Sequence, residues 1–297
     1  MRFSATTSSN SSRGGPRSLA TFPSSSRLTE ILGELRASFL KDVRIYLRYP
    51  SWIASEFITL PAWFLLLAIG VASWAPKGGV TAALSSTSVF NFFYWGFIFL
   101  IIFSTSIWGI GQSIRNEQLQ GTLEQLFLAP VSRVSIISGR FARTMVTDLA
   151  IIVYTSILLG TLSHETVGVQ NPLLLVGVYT FLELAVLGFG LIFAALTFRL
   201  KSFNLLSNLT QFVVIGLCGL FFPVSILGPL RVVSMAIPFT YFADMFRYAG
   251  YGGATLLDPI LEFPLTLASA LGLFILGLGY FKATEKRAKQ KGQIGTH

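Results

Sequence analysis

The chain has 297 residues, of which 53% are hydrophobic and only 12% are charged, and its net charge at pH 7 is +9. Soluble globular domains carry about 25% charged residues, and the apolar residues of this chain form blocks of roughly 18–20 residues, so the composition excludes an ordinary soluble domain. The basic residues lie beside these blocks and do not share a face with aromatic residues that could contact bases, which excludes a nucleic-acid-binding domain. The single cysteine cannot form an intrachain disulfide, and the two histidines are too far apart in sequence to suggest a zinc site.

The first 50 residues contain two segments. Residues 1–26 are rich in Ser and Arg and lack acidic residues, which predicts a disordered cytoplasmic tail, with an organelle transit peptide as the alternative. Apolar residues then recur every four positions, with Arg and Lys on the other faces. They are Ile31, Leu35, Phe39, Val43 and Leu47. This pattern predicts an amphipathic helix at the membrane interface, ended by Pro50.

Six apolar blocks predict six transmembrane helices, so the fold class is an all-α integral membrane protein. The predicted spans are residues 52–74, 89–111, 135–162, 172–198, 205–227 and 259–281. With six spans, the two termini and the connections after the second and fourth spans lie on the same side of the membrane. Nineteen of the 22 Lys and Arg residues fall in these segments. Because basic residues favour the cytoplasmic side, we expect a multi-pass protein of the plasma (inner) membrane with both termini cytoplasmic.

The connection between the fifth and sixth spans is too apolar for a solvated loop. Pro223, Pro229 and Pro238 interrupt it. Non-helical backbone survives at membrane depth only when it is buried in protein or lines a wet cavity. The pattern therefore predicts a re-entrant segment of two short helices in the outer leaflet, followed by an exposed amphipathic piece over residues 241–251.

A short polar segment, "QLQGTLEQLFLAPVSR", separates the second and third spans. Thr122 and Gln125 have the spacing of a capping box, in which each side chain bonds a free backbone N–H at the start of a helix. Gly121 permits a sharp turn before this helix, and Pro130 ends it. The pattern predicts a short amphipathic helix that projects into the cytoplasm.

The acidic residues of this segment indicate what it contacts. A helix that rests on the membrane usually carries Lys or Arg, whereas this segment carries Glu117 and Glu124, which anionic lipid would repel. We therefore expect a protein partner. A membrane-surface turn with no partner is the alternative.

At these residues the chain resembles the permease subunits of type-2 ABC transporters, whose E-x-E-x-G-T-L-E segment precedes a T/A-P pair. The matching residues are Glu117, Gly121, Thr122, Leu123, Glu124 and the pair Ala129 and Pro130. Leu119 departs from the second acidic position. The resemblance covers residues 27–285, which we predict to be one transmembrane domain, and residues 286–297 form a basic cytoplasmic tail.

The resemblance implies that the chain is half of an exporter. It would form a dimer, with a homodimer expected, and each copy would bind an ABC ATPase subunit. It implies a coupling helix formed by Glu117, Gly121, Thr122, Leu123, Glu124, Phe127 and Pro130. The sequence contains no G-x-x-x-x-G-K-[ST] motif, so we expect no cofactor in this chain, with ATP and magnesium held by the partner ATPase. The other expected contact is membrane lipid, with no nucleic acid.

Several polar residues lie within or near the predicted spans. Glu56 lies near the cytoplasmic end of the first span, Asp148 follows Arg143 by about one turn, which suggests an ion pair, and Glu183 has no evident local partner. The fifth span carries polar side chains at near-helical spacing. The candidates for a substrate pathway are Glu183, Asn204, Asn208, Gln211 and Phe212. Polar contacts between helices are the alternative reading of these residues.

Two other function classes compete with an ATP-driven permease. A secondary, ion-driven transporter would show inverted repeats with broken helices in matching positions, but the Pro-broken segment occurs once. An intramembrane serine protease needs a serine and a histidine within the membrane, but His164 lies in a predicted outer loop. The sequence does not specify the substrate.

Overall fold

The computed structural model describes residues 24–74, 88–119, 133–163, 166–197 and 203–291. Over these ranges the chain is α-helical, with one 3₁₀ helix and no strand. The helices in chain order are α1 (Ser24–Arg48), α2 (Pro50–Trp74), α3 (Ser88–Leu119), α4 (Arg133–Ser163), α5 (Pro172–Thr197), α6 (Phe203–Leu217), the 3₁₀ helix (Val224–Leu230), α7 (Arg231–Ala236), α8 (Pro238–Tyr251) and α9 (Pro259–Lys291).

Five of these helices are long and apolar enough to cross a membrane, which confirms the predicted all-α membrane fold. Their apolar windows are Pro50–Leu67, Val89–Gly109, Ile137–Leu162, Pro172–Leu196 and Pro259–Arg287. Each of the five contains most of a predicted span. Apolar length predicted them well because a helix that crosses about 30 Å of hydrocarbon needs roughly 20 residues.

The fifth predicted span is shorter than expected. Helix α6 has 15 residues and ends at Leu217, so the predicted range of 205–227 was too long. The chain then turns through Gly219, whose φ is 69°, a conformation that favours glycine. The carbonyl groups of Gly219 and Leu220 bond to Arg247 from helix α8, so the end of α6 depends on a distant residue.

The chain between α6 and α9 forms a broken apolar unit, whose geometry fits either the predicted re-entrant segment or a broken span. The segments Val224–Ala236 and Pro238–Tyr251 meet at an angle of 109°. The predicted exposed piece over residues 241–251 was wrong, because most of α8 is buried, with Phe242 and Phe246 almost completely inaccessible. The apolar face of this helix packs on α3 and α5 and not on a lipid surface.

Aromatic side chains form the main core around α3. Phe64, Tyr94, Phe99 and Phe103 are almost completely buried. The ring of Phe239 on α8 meets the ring of Phe103 edge-on, with ring centres 4.9 Å apart. Because such rings bury a large area and prefer edge-to-face contact, they attach α8 firmly to the bundle.

Helix α1 lies along the beginning of α4. Arg140 on α4 pairs with the buried carboxylate of Asp42, with Nε 3.4 Å from Oδ2. Gly139 lies directly against α1, because a Cβ atom there would lie 2.5 Å from the Cβ of Ser38. The two helices therefore make close backbone contact as well as an ion pair.

Candidate functional site

The predicted coupling helix falls mostly outside the described residues. Glu117 lies near the end of α3. The other six residues proposed for coupling lie in the connection outside the described part of the chain, namely Gly121, Thr122, Leu123, Glu124, Phe127 and Pro130. What the structure describes is the pair of helices on either side, α3 and α4, together with α1, which packs on α4.

A polar cavity of about 370 Å³ lies between α2, α3 and α4. Glu56 contributes from α2, Thr105 from α3, and Arg143, Thr147 and Asp148 from α4. Glu56 is six residues, about 9 Å, from the start of α2. If the start of α2 is cytoplasmic, as the charge distribution predicts, this cavity lies in the cytoplasmic half of the spans.

Hydrogen bonds and an aromatic contact order the walls of the polar cavity. The phenol of Tyr46 on α1 donates to Oε2 of Glu56 at 2.5 Å. Burial, and then the hydrogen bond to Glu56, raise the pKa of Tyr46, so the phenol remains a donor. The guanidinium of Arg143 lies over the Tyr46 ring, 4.9 Å from its centre.

Asp148 differs from the expectation of a local ion pair with Arg143. Its carboxylate, 1% exposed, accepts a hydrogen bond from the hydroxyl of Thr105 on α3, at 2.8 Å. This bond joins α3 to α4 and leaves the Arg143 guanidinium over the Tyr46 ring. The polar cavity therefore holds two carboxyl groups and one guanidinium.

An apolar cavity of about 450 Å³ adjoins the polar cavity. Leu60 and Thr105 line both cavities. Trp63 and Leu67 of α2, Phe97, Leu100 and Ile101 of α3, and Gln211, Ile215 and Phe221 line the apolar cavity as well. Along both α2 and α3, the wall changes from polar to apolar with increasing distance from the predicted cytoplasmic end.

Gln211 is the predicted pathway residue that lines this cavity. Its amide donates to Ser104 at 2.7 Å and accepts from the indole of Trp108 at 3.4 Å, so it joins α6 to α3. Asn204 and Asn208 are exposed on α6, and Phe212 is 71% exposed. The structure does not bring these three residues into the apolar cavity.

Glu183 on α5 is not among the residues that line either cavity, but its carboxyl is close enough to that of Asp148, which lines the polar cavity, for the two charges to interact. It is completely buried, and the phenol of Tyr179, one turn earlier on α5, lies beside its carboxyl group. The described part of the chain also contains no group of three His, Cys, Asp or Glu residues placed to hold a metal.

A third cavity, of about 320 Å³, lies beside the broken segment. Its wall includes Arg247, whose side chain donates to Gly219 and Leu220 and lies over the ring of Phe92, 3.6 Å from the ring centre. Asp244 faces the same guanidinium at 3.6 Å. Because the carbonyl groups, the ring and the carboxylate surround this cation, its main effect is to fix α8 to α3 and to the end of α6.

Sequence reasoning missed many of the residues that line the polar and the apolar cavity. Leu60, Trp63 and Thr105 were not singled out, and Arg143 was considered only as a partner of Asp148. A polar run at helical spacing, Ser55, Glu56 and Thr59, preceded the apolar part of α2 and was the available signal. The pairing of Thr105 with Asp148 left no such signal, since it depends on how α3 packs against α4.

Comparison with known protein families gave one match. The model of a family described as ABC-2 type transporter matches residues 34–251, which begin within α1 and end with α8. No curated protein sequence matches the chain. The matched region contains the polar cavity, the apolar cavity and the connection between α3 and α4.

Proposed function

The chain belongs to the ABC-2 type transporter family, whose members are the membrane components of ABC transporters, and from this premise we propose that it is the permease subunit of an ATP-driven exporter. In this proposal it moves substrate outward at the interface of a dimer. A separate ATPase subunit, which holds ATP and magnesium, docks on residues 117–130. Both termini face the cytoplasm, and the membrane is the plasma (inner) membrane.

The exposed face of α6 is the observation that carries the dimer proposal. Asn204, Asn208 and Phe212 follow one another at intervals of four residues and are all exposed. Leu205 and Leu209 lie beside them and are also exposed. An amide that faced lipid would lose its hydrogen bonds with water, so a second copy, or a wet pathway between two copies, is the better environment for this face.

The contacts of α4 support the coupling proposal. The proposed docking segment runs from the end of α3 into the connection to α4, and α4 is joined to α1 by the ion pair of Arg140 with Asp42. It is tied to α3 by the hydrogen bond of Asp148 with Thr105. A force applied to the connection by an ATPase would therefore reach α1, α3 and α4 together.

A secondary transporter driven by an ion gradient is the second candidate. The buried carboxyl of Glu183, whose charge interacts with that of the buried Asp148, is the observation that favours it, because buried acidic groups occur in the proton relays of such proteins. Transport that stops when ATP is depleted but persists with an uncoupler supports the ATP-driven permease. The opposite result supports the secondary transporter.

The variant Glu124→Lys tests the docking of the ATPase. Reversing a charge at a partly desolvated interface costs on the order of 2–5 kcal/mol, so the variant should reach the membrane at normal levels but fail to co-purify with its ATPase. Lys286→Glu, a charge reversal at an exposed position in the basic part of α9, is the control and should co-purify normally. Full ATPase association and full export by Glu124→Lys would contradict the proposed docking site.

A further inference from the structure

The polar and apolar cavities adjoin and together form one groove, which is lined by charged and polar side chains at one end and by apolar side chains at the other. Glu56, Arg143 and Asp148 lie at one end, and Trp63, Phe97 and Ile101 lie at the other. Seven residues separate Glu56 from Trp63 on the same helix, a distance of about 10 Å along the axis. A bound molecule that satisfied both ends would need a polar head and an apolar chain.

The orientation of the groove matches that of a lipid in the inner leaflet. Helices α2 and α3 run in opposite directions, yet both place their polar wall residues toward the predicted cytoplasmic end and their apolar wall residues deeper. Trp63 is 61% exposed, so the apolar end is accessible from the side. An amphiphile could therefore enter from the leaflet without turning over.

The charges of the polar cavity favour a cationic head. Its wall carries two carboxyl groups and one guanidinium. Tyr46 donates one hydrogen bond to Glu56 and Thr105 donates one to Asp148, while Arg143 stacks on Tyr46. A cation that entered the cavity would favour the ionised form of both carboxyl groups, because a carboxylate is costly to hold within a membrane without a counter-charge.

We propose that this groove binds a single-chain amphiphile with a cationic head, with the head between Glu56 and Asp148 and the chain against Trp63, Phe97 and Ile101. The role of this site in export rests on the proposed function, but binding at the site does not. It requires neither the ATPase nor ATP. The proposal commits to a membrane-derived ligand, and the headgroup charge is its testable property.

The experiment measures photo-labelling of the full-length chain in phosphatidylcholine nanodiscs, without an ATPase or nucleotide. Three probes share a dodecyl chain with a diazirine near its end and differ in the head, which is trimethylammonium, maltoside or sulfate. The trimethylammonium probe should label α2 and α3 near Trp63 and Phe97 at about one tenth of the concentration that the other two need. Equal labelling by all three probes, or preferential labelling by the sulfate probe, would overturn the proposal.

Two isosteric variants test the residues that select the head. Glu56→Gln and Asp148→Asn keep the acceptor atoms used by Tyr46 and Thr105 but remove the charge. Each should lower the ratio of trimethylammonium to maltoside labelling several-fold, and elution of the variant as a single symmetric peak in size-exclusion chromatography would show that it is folded. Lys286→Gln, at an exposed position on α9 that lines neither cavity, should behave as the unmodified chain. If the double variant kept the full trimethylammonium preference, these carboxylates would not hold the head.

The outcome is independent of the test of ATPase docking. A chain that fails to bind the cationic probe but loses its ATPase on Glu124→Lys would still be an ATP-driven permease, with a different substrate site. A chain that binds the probe but never associates with an ATPase would keep the groove and lose the proposed energy source.

Discussion

Gly188 and Gly277 bring the backbones of α5 and α9 into direct contact. A Cβ atom on Gly277 would overlap the carbonyl group of Gly188, and a Cβ atom on Gly188 would overlap the backbone at Leu273 and Phe274. In a membrane, helices gain little from hydrophobic association and depend on close packing, for which small residues are required. This crossing therefore anchors the last span to the rest of the bundle.

The variant Gly277→Val should separate α5 from α9. The new side chain would meet backbone and not a flexible side chain, so we expect a loss of at least about 1–3 kcal/mol in the free energy of unfolding, measured by thermal unfolding in detergent. Gly272→Val is the matched control on the same helix, because a Cβ there has no neighbour within 4 Å. Equal stability of the two variants would contradict the close crossing.

Exchanging the charges of Asp42 and Arg140 should restore part of the stability that is lost when only one of them is replaced. Asp42 is buried and Arg140 is about one quarter exposed, so Asp42→Arg alone should destabilise the protein by about 1–2 kcal/mol. The double variant Asp42→Arg/Arg140→Asp should regain part of this loss, and Arg44→Ala, on the exposed face of α1, should have little effect. No recovery in the double variant would mean that the pair does not hold α1 to α4.

The lengths of the apolar blocks predicted five spans, and most of their ends were correct to within a few residues. Helices α3 and α9 continue beyond the predicted limits. The starts of α2, α5 and α9 are set locally, because Pro50, Pro172 and Pro259 each occupy the first helical position. The end of α6 was not predictable in this way. Gly219 and Leu220 leave the helix where their carbonyl groups meet Arg247, a contact made by folding and not by local sequence.

The same reason explains the errors over α8 and the site. The amphipathic pattern of residues 241–251 was clear, but a pattern alone does not state whether the apolar face meets lipid or protein. For the groove, the polar residues of α6 led to Gln211, yet its neighbours on α2 and α3 are brought to it only by packing. Sequence periodicity finds the residues of one helix, whereas a cavity is shared between several.

Arg247 and Asp244 should be coupled in their effect on stability. Arg247→Met would leave the Asp244 carboxylate buried without its cation and would remove two hydrogen bonds from the end of α6, so we expect a loss of about 3–5 kcal/mol in thermal unfolding. Arg247→Met combined with Asp244→Asn should be more stable than Arg247→Met alone. Arg231 is exposed and lines the same third cavity as Arg247, so Arg231→Met should change the stability little.

The sidedness of the chain can be measured with single cysteines in a Cys218→Ser background. The charge distribution predicts that a cysteine at Gly121 resists an impermeant thiol reagent in intact cells and that a cysteine at Gly78 reacts. A cysteine at Ile226, which is 57% exposed on the 3₁₀ helix, should react from outside only. Ready labelling of Ile226→Cys from the cytoplasm would mean that the broken segment crosses the membrane fully.

The exposed face of α6 should meet its own copy in a dimer. In a two-fold symmetric dimer, residues near the axis face themselves, so single cysteines there can be joined across the interface. We expect Asn204→Cys, Asn208→Cys and Phe212→Cys, each in the Cys218→Ser background, to give cross-linked dimers with a short bismaleimide in native membranes.

The control for this experiment is a cysteine on another exposed apolar surface. Ile275 on α9 is 66% exposed, about as much as Phe212, but its neighbours at this surface are apolar. Ile275→Cys should remain monomeric on the gel if α9 faces lipid. The yield at Asn208→Cys should also persist when the protein is diluted into excess lipid, because a stable dimer does not depend on chance encounters. Equal cross-linking at Asn208 and Ile275, or a yield at Asn208 that falls in proportion to dilution, would show that the α6 face meets lipid or a different partner, and the pathway between two copies would have to be sought elsewhere.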